Sequence, residues 1–431
     1  MSLALTTGLL LLVVFAVLLI VGVPIAVTIG ISSVIGVLAA LPWENAVFTA
    51  SQRIFAGINS FSLLAIPFFV LAGNIMNSGE IAIRLVNVAK LLAGKLPGSL
   101  AHTNVVGNML FGSISGSGVA ACAAIGGTMA PIEKEAGYDV DYSAAVNISS
   151  APTGLLIPPS NSLIVYSLVS GGTSVAALFM AGYIPGILWG VSVMVVAYIL
   201  AKKNNYTVKR DKLTAKIVGK VLWDAIPSLS LIVIILGGIF TATEAAAIAV
   251  VYSFLLAFVF YRTIKLRDIK GILMSSVQMT GTIIFLIAAS SIMSWVLAFT
   301  NIPTIITEFI LGISSSKVLV LLAMNILLLV VGTFMDLTPA ILIFTPILLP
   351  IAQNFGMDTV QFGIMLVFNL CIGNITPPVG NTLFVRCKVG KTKIENVIKH
   401  MLPFYVAIVT VLMLVTFIPQ ISLFIPNILG L

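Results

Sequence analysis

Two double prolines, Pro158-Pro159 and Pro377-Pro378, lie at corresponding places in the two halves of this 431-residue chain, each inside an apolar stretch. Proline has no backbone N–H and its ring clashes with the preceding turn, so two in a row end a helix. Hydrocarbon cannot satisfy the carbonyls released there, so such a break survives only beside protein, water or an ion. A pair of interrupted membrane segments at matching positions points to the binding site of a secondary transporter.

A run of small residues, Gly112-Ser113-Ile114-Ser115-Gly116-Ser117-Gly118, is too flexible for the centre of a stable helix. We interpret it as the tip of a hairpin, where the backbone approaches a bound species and oxygen atoms supply the ligands that hard cations prefer. The alternative is close helix packing through small residues, which is common in membranes. Because this run should lie opposite the Pro158-Pro159 break, we favour the cation site over helix packing.

The matching stretch of the second half is Gly332-Thr333-Phe334-Met335-Asp336-Leu337-Thr338-Pro339. Asp336 is the only charged residue between Lys317 and Asp358. An acid inside apolar membrane sequence costs about 3 kcal/mol, so it is a candidate functional residue. The alternative is a buried hydrogen-bond acceptor that caps the following helix. A carboxylate that faces a cation would serve both purposes.

These positions predict two cation sites related by a pseudo-twofold axis. The first draws on Ser113, Ser115, Gly116, Gly154, Ile157, Pro158 and Asn161. The second draws on Thr333, Asp336, Thr338, Gly373, Thr376, Pro377 and Asn381. Half-helix N-termini between them favour an anionic group, and the candidate substrate-binding residues are Ser160, Asn161, Ser162, Asn381, Thr382 and Arg386. For Arg386, at a span end, the alternative is an anchor at the cytoplasmic membrane face.

The composition is that of an integral membrane protein. Hydrophobic residues make up 59% of the chain and charged residues 8%, whereas soluble domains have about 25% charged residues. The net charge of +8 comes from basic segments that flank apolar runs, which indicates topology rather than nucleic-acid binding. The first apolar run lacks a basic region before it, so we interpret it as a retained helix rather than a signal peptide. Because the sequence shows neither a catalytic constellation nor a nucleotide-binding loop, we expect no enzyme and no cofactor.

With the basic segments in the cytoplasm, each half needs an odd number of crossings. The predicted fold is an all-α polytopic membrane protein of two inverted repeats with five spans each, and each repeat has a re-entrant hairpin and a discontinuous helix. The first repeat covers 1–201, a basic cytoplasmic linker 202–224, and the second repeat 225–431. The hairpins are predicted at about 100–135, open to the cytoplasm, and about 317–355, open to the outside. Spans are predicted near 3–21, 23–41, 60–77, 142–169 (discontinuous), 175–201, 225–241, 244–261, 272–299, 360–385 (discontinuous) and 402–421, with interfacial arms at 80–97 and 301–316.

Four motifs, spread along the chain, are informative as a set. They are Ala65-Ile66-Pro67-Phe68-Phe69, the Gly112–Gly118 tip with Ile157-Pro158-Pro159-Ser160, Thr243-Glu244-Ala245-Ala246-Ala247, and Gly373-Asn374-Ile375-Thr376-Pro377-Pro378-Val379-Gly380. Jointly they resemble the large membrane subunit of the tripartite ATP-independent periplasmic (TRAP) transporters, nearly end to end. That family usually has Thr-Pro-Thr-Glu-Ala where this chain has Thr241-Ala242-Thr243-Glu244-Ala245. The departure lies at a helix start, where we interpret Glu244 as a helix-start acid.

The resemblance implies Na⁺-driven import of an organic acid, such as sialic acid or a C4-dicarboxylate, across the bacterial inner membrane. Na⁺ would then be the cation at both predicted sites. The implied partners are a periplasmic substrate-binding protein, a small membrane subunit and the lipid bilayer. The hairpins and broken helices would move as an elevator against a scaffold. Two alternatives stay open: a self-sufficient dicarboxylate carrier of similar build, and a channel or membrane scaffold.

Overall fold

The computed structural model describes residues 3–79, 81–93, 97–206, 218–221, 223–226, 230, 241–313, 316–390 and 392–431. Within these ranges the chain is helical and has no β-strand, which confirms the predicted all-α class. Much of the predicted linker 202–224 and most of the predicted span 225–241 lie outside the described residues. The boundary between the repeats therefore stays a prediction.

The helices of the first half follow one another through short connections. They are α1 (Leu3–Ile20), α2 (Ile25–Ala40), α3 (Trp43–Ile58), α4 (Ala65–Ser78), α5 (Ile81–Ala93), α6 (Ser99–Ser115), α7 (Gly118–Glu135), α8 (Val140–Ser150), α9 (Thr153–Leu156), α10 (Asn161–Val169) and α11 (Val175–Lys203). Polar caps set several of the starts. At α8, for example, the Asp139 carboxylate accepts a hydrogen bond from the Tyr142 N–H at 2.7 Å.

The described helices of the second half begin after residue 241. They are α12 (Ala242–Phe254), which a π-helical turn (Leu255–Phe260) extends, α13 (Leu266–Phe299), α14 (Ile302–Ile313), α15 (Lys317–Phe334), α16 (Leu337–Asn354), α17 (Thr359–Gly373), α18 (Asn381–Gly390), α19 (Ile394–Phe417) and α20 (Pro419–Leu429). A capping box starts α12: the Glu244 N–H donates to the Thr241 hydroxyl oxygen, and the Glu244 carboxylate accepts from the Thr241 N–H at 2.9 Å. Glu244 thus has the role of a helix-start acid.

Eight of the described helices are long and apolar enough to cross a membrane. They are α1, α4 with the 3₁₀ turn before it, α11, α12 with its π-helical turn, α13, α15, α16 and α19. The chain is a multi-pass membrane protein. Its last span ends at Phe417, earlier than the predicted 421, because Pro419 starts the separate helix α20.

Helix α3 fills an interval for which the apolar pattern predicts no element, between 41 and 60. Charged and polar residues such as Glu44 and Arg53 interrupt its apolar sequence. The Arg53 guanidinium lies 5.6 Å from the centre of the Trp295 ring on α13, while Trp43 and Phe48 are exposed. Helix α3 is therefore a short amphipathic helix on the surface of the protein.

Helices α6 and α7 form the first hairpin, and α15 and α16 form the second. The first hairpin turns at Gly116, whose φ of +60° is accessible to glycine without penalty. Ser117 then starts α7, since its hydroxyl oxygen accepts from the Ala120 N–H at 3.3 Å. The second hairpin turns at Met335 and Asp336.

Each half also contains a discontinuous helix that stops at its double proline, α8 to α10 in the first half and α17 to α18 in the second. These helices and both hairpins share one buried core. The Tyr166 hydroxyl of α10 donates to the Thr359 carbonyl of α17 at 2.6 Å. The Trp189 indole of α11 donates to the Ser149 carbonyl at 2.7 Å, and its ring lies 4.5 Å from that of Phe368. The two halves therefore interlock at the centre of the protein.

The predicted inversion puts the open ends of the two hairpins on opposite membrane faces, and labelling can test it. Glu135 at the end of α7 and Asn354 at the end of α16 are both exposed. We expect a membrane-impermeant maleimide, added to intact cells, to label Asn354→Cys and to reach Glu135→Cys only after permeabilisation. The native cysteines Cys122, Cys371 and Cys387 are buried, so the background should be low. Equal labelling of both variants from outside would contradict the inversion.

Candidate functional site

Each discontinuous helix touches the hairpin of its own half through a pair of glycines. A Cβ placed on Gly112 would lie 2.6 Å from the Gly154 Cα, and one placed on Gly332 would lie 3.1 Å from the Gly373 Cα. Backbone therefore meets backbone at both places, as in membrane helix pairs joined by small residues. The contacts hold each hairpin tip against the break in its half.

A pair of asparagines repeats this connection in both halves. The Asn147 amide of α8 donates to the Asn104 Oδ1 of α6 at 2.8 Å, and the Asn369 amide of α17 donates to the Asn325 Oδ1 of α15 at 2.7 Å. All four side chains are buried. Hydrogen bonds between buried side chains of neighbouring helices fix how those helices meet. Two independent contacts thus show that hairpin and discontinuous helix pack alike in each half.

The first predicted cation site lies where the first hairpin tip meets the break at Pro158. A Cβ on Gly116 would lie 3.4 Å from both the Pro159 carbonyl oxygen and the Asn161 Nδ2. The Asn161 Oδ1 is buried and has no hydrogen-bond partner among the described residues. A buried amide oxygen without a donor requires an explanation, and it is a ligand of the kind that hard cations take.

The two serines of the first tip differ in what their hydroxyls do. Ser113 donates to the Leu110 carbonyl of its own helix at 2.9 Å, whereas Ser115 has only a long 3.4 Å contact with the Ser117 carbonyl. Ser115 is therefore the better placed of the two to turn toward a ligand. The backbone of Ile157 leaves the helical conformation, with ψ at 122°.

The second predicted site contains a carboxylate. Asp336, at the second hairpin tip, accepts a hydrogen bond from the Asn381 amide across the break at 3.3 Å. It occupies the N-cap position of α16, but its side chain makes no capping hydrogen bond, and the residue is exposed. The capping alternative is therefore not supported. The Val379 N–H donates to the Thr333 carbonyl at 3.2 Å and ties the tip to the break.

The chain itself replaces most of the hydrogen bonds that the prolines remove. The Gly373 carbonyl accepts from the Thr376 N–H at 3.0 Å, and the Asn374 carbonyl from the Thr382 N–H at 3.2 Å. In the first half, the Leu155 carbonyl accepts from the Ser160 hydroxyl. The hydroxyls of Thr333 and Thr376 also bond to carbonyls of their own helices. Thr338 lies half-buried in the first turn of α16.

The predicted substrate-binding residues do not form one cluster. Asn161 lies at the first tip and Asn381 at the second. Ser160 is buried and caps α10, because its oxygen accepts from the Leu163 N–H at 3.4 Å; Ser162 beside it is buried too. Thr382 faces the first hairpin, where its carbonyl lies 3.8 Å from the Cys122 Sγ of α7.

Arg386 lies one turn beyond Thr382 on α18, away from both tips. Its side chain is 0% exposed, whereas an anchor at the membrane face would keep its guanidinium in water or among headgroups. The side chain packs on α7: a Cβ on Gly126 would lie 3.1 Å from the Arg386 Nε. The anchor alternative is therefore not supported.

Sequence reasoning missed a buried polar cluster beside Arg386. Glu133 of α7 accepts from the Asn104 amide at 3.0 Å, and the Asn108 amide donates to the Ser150 hydroxyl at 2.8 Å. Glu133 lies in the charged run Glu133-Lys134-Glu135, which is typical of an exposed helix end, and nothing in that run signals its burial. Among the described residues, no three His, Cys, Asp or Glu come together as a metal cluster.

A family model and several known proteins match nearly the whole chain. A family model described as "Tripartite ATP-independent periplasmic transporter, DctM component" matches residues 12–421. The chain is 52% identical over 417 residues to YgiK of Salmonella typhimurium, which covers 96% of this chain and 95% of YgiK. It is 38% identical to the sialic acid TRAP transporter large permease protein of Vibrio cholerae over 88% of this chain and 89% of that protein. It is also 38% identical to the C4-dicarboxylate TRAP transporter large permease protein of Pseudomonas aeruginosa over 94% and 95% of the two chains.

A solved structure is similar in fold. The YdaH transporter of Alcanivorax borkumensis superposes with a TM-score of 0.64, over 86% of this chain and 88% of that one, at 12% sequence identity. At that identity the likeness concerns the fold alone. It extends over nearly the whole chain.

The glycine contacts predict that a single added methyl group is damaging. In Gly154→Ala the new Cβ would collide with the Gly112 backbone, so the hairpin must move away from the break. Overpacking of this kind costs about 1–3 kcal/mol, and we expect a lower thermal unfolding midpoint for the purified protein. Gly127→Ala on α7 is the matched control, since nothing lies within 4 Å of its added Cβ. Equal midpoints for the two variants would refute the contact.

Proposed function

Because the chain belongs to the DctM component family of the tripartite ATP-independent periplasmic transporters, we propose that it imports an organic acid across the inner membrane, driven by a Na⁺ gradient. The protein is the large permease subunit of a transporter and not an enzyme. In this proposal a periplasmic binding protein delivers the acid and a small membrane subunit completes the membrane part. The observation that carries the proposal is the meeting of each hairpin tip with a proline break.

The relatives support an organic acid anion as the transported species, which is a sulfonate in the isethionate permease of Oleidesulfovibrio alaskensis and a carboxylate in others. Three of them are named as permeases for sialic acid, C4-dicarboxylates and 2,3-diketo-L-gulonate, and these substrates share a carboxylate. Helices α10 and α18 both begin directly after the breaks, and a helix N-terminus favours an anion. Asn161 at the first tip and Asn381 at the second would provide the polar contacts.

The chemistry of the donors supports Na⁺ as the coupling ion. The first tip offers the Asn161 amide oxygen and the Ser115 hydroxyl beside released carbonyls, and the second tip adds the Asp336 carboxylate. All of these are oxygen ligands, which hard cations prefer. Neither tip contains a histidine or a cysteine, which would favour a softer metal.

The packing supports a single moving body. The hairpins and discontinuous helices interlock through the Tyr166 bond to Thr359 and through the contact between Cys122 and the Thr382 carbonyl. In this proposal these interlocked elements move as one body, and other long helices serve as the scaffold. Helix α1 is largely exposed and apolar, with Leu9 and Leu12 at 60% and 66% exposure. Such a face suits lipid or a membrane partner.

Uptake into proteoliposomes tests the proposal. We expect vesicles that contain this chain and its small subunit to accumulate labelled sialic acid or succinate only with a matching binding protein and an inward Na⁺ gradient. A K⁺ gradient of equal size is the control for ion identity. Uptake that does not need a binding protein would favour a self-sufficient carrier, and flux that does not need any gradient would indicate a channel.

Asp336→Asn should weaken the response to Na⁺. The substitution keeps the size of the side chain and its contact with Asn381 but removes the negative charge. We expect the Na⁺ concentration for half-maximal uptake to rise about tenfold, since loss of about 1.4 kcal/mol of binding gives that factor. Asp358→Asn is the control, because Asp358 caps α17 by accepting from the Val360 N–H at 2.7 Å and asparagine caps equally well. An unchanged Na⁺ response in Asp336→Asn would remove this carboxylate from the site.

A further inference from the structure

The Arg386 guanidinium is buried without a partner. None of its three nitrogens, Nε, Nη1 and Nη2, has a hydrogen-bond acceptor among the described residues, and the side chain is 0% exposed. A guanidinium carries five N–H donors and stays charged in proteins. Burial of a charge is costly unless an acceptor with the opposite charge is close. The site therefore calls for an anion.

The guanidinium is closely packed and lies next to a cavity that it does not line. Glycines flank it on both helices: Gly126 of α7 lies beside Nε, and a Cβ on Gly390 of α18 would collide with Nη1. Gly390 also lines a cavity of about 710 Å³ between the end of α7, the start of α8, the end of α18 and the start of α19. The charged residues that line this cavity are Lys134, Asp141 and Lys393. The two lysines and one aspartate give the lining a net positive charge, and the buried Arg386 adds to it from behind Gly390, so the cavity attracts anions.

The internal group of opposite charge is Glu133. Its side chain is 1% exposed, its Oε1 accepts from the Asn104 amide at 3.0 Å, and its Oε2 has no hydrogen-bond partner among the described residues. Glu133 lies about two turns along α7 from Gly126, which packs against Arg386, yet the Glu133 and Arg386 side chains form no salt bridge. One carboxylate oxygen and three guanidinium nitrogens thus remain available in the same buried region.

We propose a carboxylate site behind this cavity, separate from the hairpin tips, in which Arg386 binds a carboxylate of the transported acid that enters past Gly390, and Glu133 competes for Arg386. The proposal rests on the proposed transport of an organic acid. A guanidinium holds a carboxylate through two parallel N–H···O bonds. A nearby Glu133 carboxylate repels the bound acid and replaces it at Arg386 when the acid leaves. The basic residues at the mouth of the cavity, which the sequence places in the cytoplasm, make this an exit site for the acid.

Binding to the purified full chain in lipid nanodiscs tests the proposal, with succinate and N-acetylneuraminate as probes and chloride to keep the ionic strength constant. We expect Arg386→Gln to weaken binding at least tenfold and Arg386→Lys to weaken it less, because lysine keeps the charge but not the paired donors. We expect Glu133→Gln to strengthen binding about tenfold, because the internal competitor is gone; tenfold corresponds to about 1.4 kcal/mol. Arg53→Gln, which removes the same charge from the surface helix α3, should bind as the wild type does.

The double variant Glu133→Gln/Arg386→Gln is the control for folding, because it removes both buried charges at once, whereas each single variant leaves one of them buried alone. It should also bind at least tenfold more weakly than the wild type. Wild-type affinity in either Arg386→Gln variant, weaker binding in Glu133→Gln, or no binding of either acid to the wild type would overturn the proposal. Failure of the proposed function would be visible separately, as the absence of Na⁺-driven uptake by the wild-type transporter while the carboxylate still binds.

Discussion

The need to satisfy every backbone polar group inside hydrocarbon governs this structure. Each double proline removes two N–H donors from a helix at membrane depth, and the chain replaces them with its own groups. The Ser160 hydroxyl takes one released carbonyl in the first half, and the Thr376 and Thr382 N–H groups take two in the second. A hairpin tip covers each break through glycine contacts. The Asn161 Oδ1 at the first tip stays without a hydrogen-bond partner among the described residues.

A hairpin tip meets a proline break in both halves, but the two tips do not carry the same charge. At the first tip the acceptors are an amide, a hydroxyl and main-chain carbonyls, so the site is neutral. At the second tip Asp336 adds a full negative charge next to Asn381. A cation at the second site gains more from Coulomb attraction and costs more to release. The two proposed cation sites should therefore differ in affinity.

The sequence reveals the breaks and the tips because proline and glycine act on the backbone directly, whatever surrounds them. The two interfaces that hold tip and break together could not be predicted in the same way. Asn104 and Asn147 are ordinary polar residues until their helices meet, and burial of Arg386 and Glu133 depends on how α7 and α18 pack. Helix α3 escaped the apolar pattern because its polar residues break it, although it packs on α13. Residue type thus predicts local conformation, whereas pairing between distant helices determines which charges are buried.

A carrier must hold its substrate firmly enough to select it and weakly enough to let it go. In the proposed mechanism, coupling cations at the tips would balance the charge of a bound acid, so the acid would be released when they are. Near Arg386 the protein itself supplies the opposite charge, because Glu133 lies in the same buried region. The Asn104 amide donates a hydrogen bond to Glu133 and holds it there. An arginine alone at this depth would trap a carboxylate, and an arginine already paired with an acid would not attract one. Glu133 lies in the same buried region as Arg386 but forms no salt bridge with it, so Arg386 is neither isolated from opposite charge nor already paired with an acid.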